Sequence, residues 1–146
     1  RDRAGFPIVM SNVAAASLGA KAIGATASDS RFPVSNVLDG EAKSCWITTG
    51  LFPQEFLIAF PDTVSIARIR TQTRNVKSMA IEYCDQREPT SFDKLYGPVE
   101  IEESSTGLQM ETQQFKEIKC RYLKVKILSG YSDFAVVYSI EAEGAM

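Results

Sequence analysis

The sequence predicts an all-β protein, an antiparallel sandwich or barrel, on three observations. Short runs of alternating apolar and polar residues recur along the chain, and clusters of turn-forming residues separate them. No stretch of about a dozen residues keeps an apolar stripe at helical spacing. Strands without intervening helices leave only a sheet packed on a sheet or closed on itself.

Taken in order, residues 1–20 (RDRAGFPIVMSNVAAASLGA) begin basic and become small and apolar. Pro7 and Asn12 interrupt the apolar run, so the segment reads as a flexible or appended N-terminal extension rather than a targeting signal. A single domain then spans 21–146. Pro33 to Leu38 is the nearest approach to a helix, one turn with proline at its start. Phe56, Ile58 and Phe60 alternate with Leu57 and Ala59, and Pro61-Asp62 reads as a turn. Val64 and Ile66 open the next strand, whose alternation breaks at Ile69 as a bulge would break it. After a turn at Arg74-Asn75, Met79, Ile81 and Tyr83 share one face against Ala80, Glu82 and Cys84.

The connections around Pro89 and Pro98 are the least regular, with turn clusters at Gln86 to Pro89 and Ser104 to Gly107. Leu123, Val125 and Ile127 alternate cleanly with Lys124 and Lys126, one face dry and the other wet. Ser129-Gly130 reads as a further turn. Phe134, Val136, Tyr138, Ile140 and Ala142 are then expected inward, with Ser139, Glu141 and Glu143 outward.

Composition narrows the function classes. At 146 residues the chain suits one domain, and a domain of roughly 150 residues buries about 68–70% of its unfolded surface, enough for a core without metal or disulfide support. A net charge of −2 argues against nucleic acid as a partner. No run approaches the roughly 18 consecutive apolar residues of a membrane span. Three scattered cysteines, Cys45, Cys84 and Cys120, form no C-x-x-C pair, as in a cytosolic protein with buried free thiols.

The chain has no histidine, which removes the commonest general base and any Ser-His-Asp arrangement. Glu100, Glu102 and Glu103 lie close in sequence, and Glu141 and Glu143 share one solvated strand face. No Gly-rich phosphate loop is present. A non-enzymatic protein is therefore expected.

The sharpest constellation is SNVLDGEAKSCW, residues 35–46. Asp-Gly makes a tight turn on its own, and spacing alone favours that reading. The alternative is a calcium loop, with a carboxylate at Asp39, a hydroxyl at Ser44 and carbonyls from around Asn36 and Glu41. Arg68, Arg70, Arg74 and Lys77 form a basic cluster that serves solubility or docks a partner. Trp46, Phe52, Tyr96 and Tyr131 are the aromatics that a carbohydrate-binding module, the competing function class, would use as platforms.

Several stretches together carry a resemblance: A-T-A-S-D (25–29), P-x-x-N-V-L-D-G (33–40), W-x-T-T-G-L-F-P-Q-E-F (46–56), Y-L-K-V (122–125), S-G-Y-S-D-F-A (129–135) and S-I-E-A-E-G (139–144). From about Ala22 to Gly144 the chain resembles the intraflagellar transport protein 25 (heat shock protein beta-11) family. The resemblance implies a galactose-binding-like, discoidin-like jelly roll and a non-enzymatic subunit of intraflagellar transport complex B. It further implies a Rab-like small GTPase partner, intraflagellar transport protein 27, contacts with other complex B subunits, and residence in cytoplasm and cilium or flagellum. It also implies a calcium ion in loop 36–44, with Asp39 as carboxylate ligand, Ser44 where threonine is usual, and Asn36 and Glu41 alongside. Related domains complete the site from the last strand, where the nearest residue here is Ser139, with a main-chain carbonyl there or at Glu143 as substitute. Trp46 is then expected to seal the sandwich beneath the loop, leaving Gln54 and Glu55 without an assigned role.

Overall fold

The computed structural model describes residues 11–146. Its architecture follows from two long strands, β4 (Gln54–Arg74) and β7 (Gln109–Gly130), each belonging to both layers of a sandwich. The first part of β4 pairs with the last part of β7, for example Phe56 with Val125 and Ile58 with Leu123. That layer continues to β2 (Lys21–Ile23) on one side, and to β5 (Val76–Cys84) and β6 (Asp93–Glu100) on the other. The second part of β4 pairs with the first part of β7 and with β8 (Val136–Ala145). β8 in turn holds two short strands, β1 (Ser11–Asn12) and β3 (Trp46–Ile47). Every pairing is antiparallel, and the jelly-roll sandwich is the fold expected.

The strand passes between layers because of a local interruption. Pro61-Asp62 does not reverse the chain as expected; both residues are exposed inside β4, and the ladder to β7 shifts register between Ala59 and Val64. Proline has no N–H to give the ladder, so the chain bends there without losing its direction. Ser129-Gly130 likewise ends β7 rather than turning, with Ser78 and Ser129 hydroxyls 2.8 Å apart. The irregularity expected near Ile69 is present as a register shift between Ile66 and Arg68, and Ile69 is fully buried.

A second shift corrects the face expected of β8. Gln72 pairs with Ser139 but Thr73 with Val137, so Tyr138 is skipped. Val137 is consequently buried in Tyr138's place, whereas Phe134 lies beyond the strand and is exposed. Ile140 and Ala142 stay inward as expected.

The expected extension at 1–20 divides in two. Residues 1–10 lie outside the described residues, while the rest is part of the domain. Asn12 pairs with Glu143, Val13 N–H donates to the Ala142 carbonyl at 2.9 Å, and Val13 and Ala14 are fully buried. The Asn12 carboxamide oxygen accepts from Ala14 N–H and Ala142 N–H at 3.1 and 2.9 Å. Small side chains let this segment fill the sandwich rim, which is why an alanine-rich run carried no strand signal.

The core centres on Trp46, Phe56, Ile58, Ile69, Ile81 and Leu123. Trp46 meets Phe56 edge-on at 5.1 Å and 74°, an arrangement that contributes about 0.5–1.5 kcal/mol beyond area burial. Its indole N–H donates to the Ala27 carbonyl at 3.0 Å, so no buried donor is orphaned. Gln109 plays a comparable part at the β4–β5 turn. Its side chain accepts from Thr73 Oγ1 (2.9 Å) and Val76 N–H (3.0 Å), and donates to the carbonyls of Val76 (2.7 Å) and Glu102 (3.2 Å).

Two outcomes follow for stability and reactivity. Gln109→Leu keeps the volume but strands the Val76 and Thr73 groups, and should cost about 3 kcal/mol in urea unfolding. The three cysteines are free and buried, and burial foremost, with Asp85 and Cys84 adding to it, pushes the Cys120 thiol up to about 12. A thiol with a raised pKa stays protonated below that value, so Cys120 should ignore an aromatic disulfide reagent at mildly alkaline pH and react once urea unfolds the chain.

Candidate functional site

The loop at 35–46 is built from a short 3-10 turn, Val34–Leu38, whose Val37 and Leu38 are buried and anchor it to the core. The Asn36 N–H closes the turn onto the Pro33 carbonyl at 3.0 Å. Asp39 ends it, and Gly40 (φ +76) reverses the chain in the left-handed region that glycine favours. The Glu41 N–H then donates to Asp39 Oδ1 at 2.8 Å, an Asx turn that fixes the carboxylate. Asn36 Nδ2 donates to the Cys45 carbonyl at 3.0 Å and draws the two ends of the loop together.

These bonds place several oxygens around one point. Ser44 Oγ lies 2.7 and 2.8 Å from the two Asp39 carboxylate oxygens, 3.2 Å from the Glu41 carbonyl and 3.4 Å from the Asn36 carbonyl. A hydroxyl has one proton to donate, so it can satisfy only one of these four acceptors at a time. The cluster therefore converges more oxygen lone pairs than its own hydrogen can serve. Among the described residues no group of three or more His, Cys, Asp or Glu is assembled. The loop offers one carboxylate with carbonyls and a hydroxyl, an all-oxygen set that suits a hard cation and not a soft one.

The structure thus brings Asn36, Asp39, Glu41 and Ser44 together, Asn36 and Glu41 through their main-chain carbonyls. Ser139 borders a shallow cleft beside the loop with Asp39, Gly40, Asn12, Ser17 and Glu141. Glu143 stands apart: its carboxylate lies 3.1 Å from Arg68 and 3.6 Å from Arg70. Glu141, Asn12 and Ser17 are polar cleft residues that sequence reasoning missed. Glu141 was legible in principle, since it shares a strand face with Ser139, whereas Asn12 sits in the segment read as an extension.

The aromatics are placed by their surroundings. Trp46 is fully buried and is no platform. Phe52 and Tyr96 pack partly buried against the core. Tyr131 is 39% exposed, but its hydroxyl donates to the Ile101 carbonyl at 2.6 Å. Gln54 now has a role: its Nε2 donates to the Leu51 carbonyl (2.6 Å) and Thr49 Oγ1 (3.0 Å), while its Oε1 accepts from Thr26 Oγ1 (2.5 Å). It fastens loop 48–53, where Gly50 is required because a Cβ would meet the Asp133 carbonyl at 2.7 Å. Glu55 faces Lys124 at 3.9 Å.

Comparison with known proteins places the fold and the family. A family model for the F5/8 type C domain matches residues 21–140. Intraflagellar transport protein 25 of Chlamydomonas reinhardtii is 38% identical over 126 residues, 86% of this chain, which spans 66% of that protein's length. The human intraflagellar transport protein 25 homolog is 35% identical over 128 residues, 88% of each chain. Solved structures share the fold at lower identity. Chitosan-binding module 1 of a Paenibacillus chitosanase/glucanase has a TM-score of 0.78 at 16% identity, covering 90% of this chain and 98% of the module. The family 32 carbohydrate-binding module of C. perfringens NanJ, in complex with galactose, has a TM-score of 0.77 at 17% identity, covering 92% and 99%. The strand framework and these matches converge: the chain belongs to the intraflagellar transport protein 25 family, built on an F5/8 type C domain.

Proposed function

We propose that the chain serves intraflagellar transport as a non-enzymatic subunit of complex B, paired with a Rab-like small GTPase, intraflagellar transport protein 27. The observation that carries this reading is the 35% identity to the human family member over 88% of both chains. The site chemistry supports it. The chain has no histidine, and Glu143, two residues along β8 from Glu141, is engaged by Arg68 and Arg70. A subunit of this kind works by presenting surfaces in the cytoplasm and the cilium or flagellum. Among the described residues no helix is long and apolar enough to cross a membrane.

Calcium belongs to the same proposal. The ion would be held by Asp39, the carbonyls of Asn36 and Glu41, and the Ser44 hydroxyl, with Ser139 and Glu141 beside it across the cleft. It would supply positive charge to a cluster with more acceptor oxygens than the Ser44 hydroxyl can serve, and pin the loop over Trp46. The role is structural: it orders a loop at one end of the sandwich.

Coexpression with the GTPase followed by gel filtration tests the pairing. A single co-eluting species is expected, and two separately migrating proteins at micromolar concentration overturn it. For calcium, ligand at about 100 times Kd stabilises by about 2.7 kcal/mol, so wild type should melt several degrees higher in millimolar calcium than in chelator. Asp39→Ala should abolish that difference and Ser44→Ala should reduce it. Equal melting of wild type in both buffers rejects the site.

A further inference from the structure

The first half of β7 is an open sheet edge. Residues 109–120 pair with β4 on one side only, and β5 takes up β7 from Tyr122 onward. Among the described residues, 110–119 form no backbone hydrogen bond outside the β4 ladder. In an antiparallel edge strand alternate residues aim N–H and C=O outward, so this stretch presents unpaired backbone. Its downstream part is guarded by Lys116, Glu117 and Lys119 and by the register shift opposite Ile66 and Arg68. The upstream part, QMETQQF at 109–115, carries one charge, Glu111, and an exposed Met110.

Glu111 sits at the rim between the two layers. It pairs with Thr71, whose Oγ1 is buried without a hydrogen-bond partner. Tyr96 of β6 packs against Phe115 at 6.2 Å and bridges the gap from the other layer. Burial first, and the Glu111 charge second, push the Tyr96 phenol well above its ordinary pKa. Glu111 is itself half-buried, and among the described residues no cation forms an ion pair with it.

From these placements we infer that edge 109–115 accepts an extended segment of a partner protein as an added strand, and that this segment carries Lys or Arg on the face turned toward Glu111. Unpaired backbone groups dictate an extended occupant, because only a strand satisfies them in series. Glu111 decides its chemistry. A strand with an apolar or acidic residue there covers the carboxylate without a counter-charge, whereas a basic one completes an ion pair in a shielded place. A second copy of this chain fits less well, since pairing 109–115 with itself brings only another Glu111.

The test uses the whole chain, isotope-labelled, and the peptide acetyl-Thr-Val-Thr-Lys-Thr-Val-Thr-amide. Amide shifts should concentrate at 110–115 with slowed exchange at alternate positions. The same peptide with Glu for Lys should bind at least about tenfold more weakly. Glu111→Lys should invert that preference, and Glu111→Gln, a milder change, should level it if the first variant folds poorly. Absence of shifts at 110–115 with millimolar Lys peptide, or equal binding of both peptides, overturns the inference. Concentration-dependent protection of the same amides without peptide overturns it in favour of self-pairing.

Discussion

The pairing of β4 with β7 is the interaction on which the rest depends. Both strands serve two layers, so one continuous ladder joins the halves of the sandwich. Such a ladder holds only if the chain can bend without exposing buried backbone groups, and the missing proline N–H at Pro61 allows that at an exposed position. The register shift near Arg68 makes the second adjustment and keeps Ile66 and Ile69 inside although three positions separate them. A chain reversal at Pro61 would have split β4 into a hairpin and removed the crossing. The same arrangement explains the open edge, because β7 leaves its β5 partner when it passes into the other layer.

Polar side chains inside the sandwich do work that apolar packing cannot. Gln54, Gln109 and Asn12 each satisfy backbone or hydroxyl groups at a place where a strand ends or a loop crosses the rim. Leaving such groups unpaired costs about 1–3 kcal/mol each, so these residues set loop positions more firmly than propensity does. The 35–46 loop uses the same device, since Asn36 Nδ2 and the Asp39 carboxylate both bond main-chain groups. The result is a loop whose remaining oxygens face one another around a single serine proton.

Much of this was legible in residue patterns. Alternation located β8's Ile140 and Ala142, the Leu123–Ile127 run and the inward Phe56, Ile58 and Phe60, because period two follows directly from strand geometry. The short turn at Pro33 to Leu38 was legible from its leading proline, whereas spacing alone favoured a plain Asp-Gly turn over the approach of Ser44 to Asp39. What escaped was non-local. Whether Pro61-Asp62 turns or bends depends on the partner strand, and the loss of Tyr138 from the core depends on a skipped register position. Val13 and Ala14 were unreadable because alanine and valine at a rim show no period of their own. Asn12 could not be assigned to the cleft until β1 was seen on β8.

The two regions with open binding potential are held apart by the layer that carries them. Its order runs β8, β4, β7, with Glu141, Arg70 and Thr112 aligned across the three strands. Neighbouring strands lie about 4.8 Å apart, so the β8 cleft and the β7 edge are separated by roughly 10 Å of paired backbone. Arg70 stands between them with Glu141 as its β8 neighbour, and no described side-chain bond runs from the Asp39 loop to Glu111. Sites at that distance without a shared partner change stability and affinity additively. Neither proposed site's occupancy would therefore require the other's: a cation at Asp39 would order the loop end with the β7 edge free, and a strand would dock on β7 with the loop open.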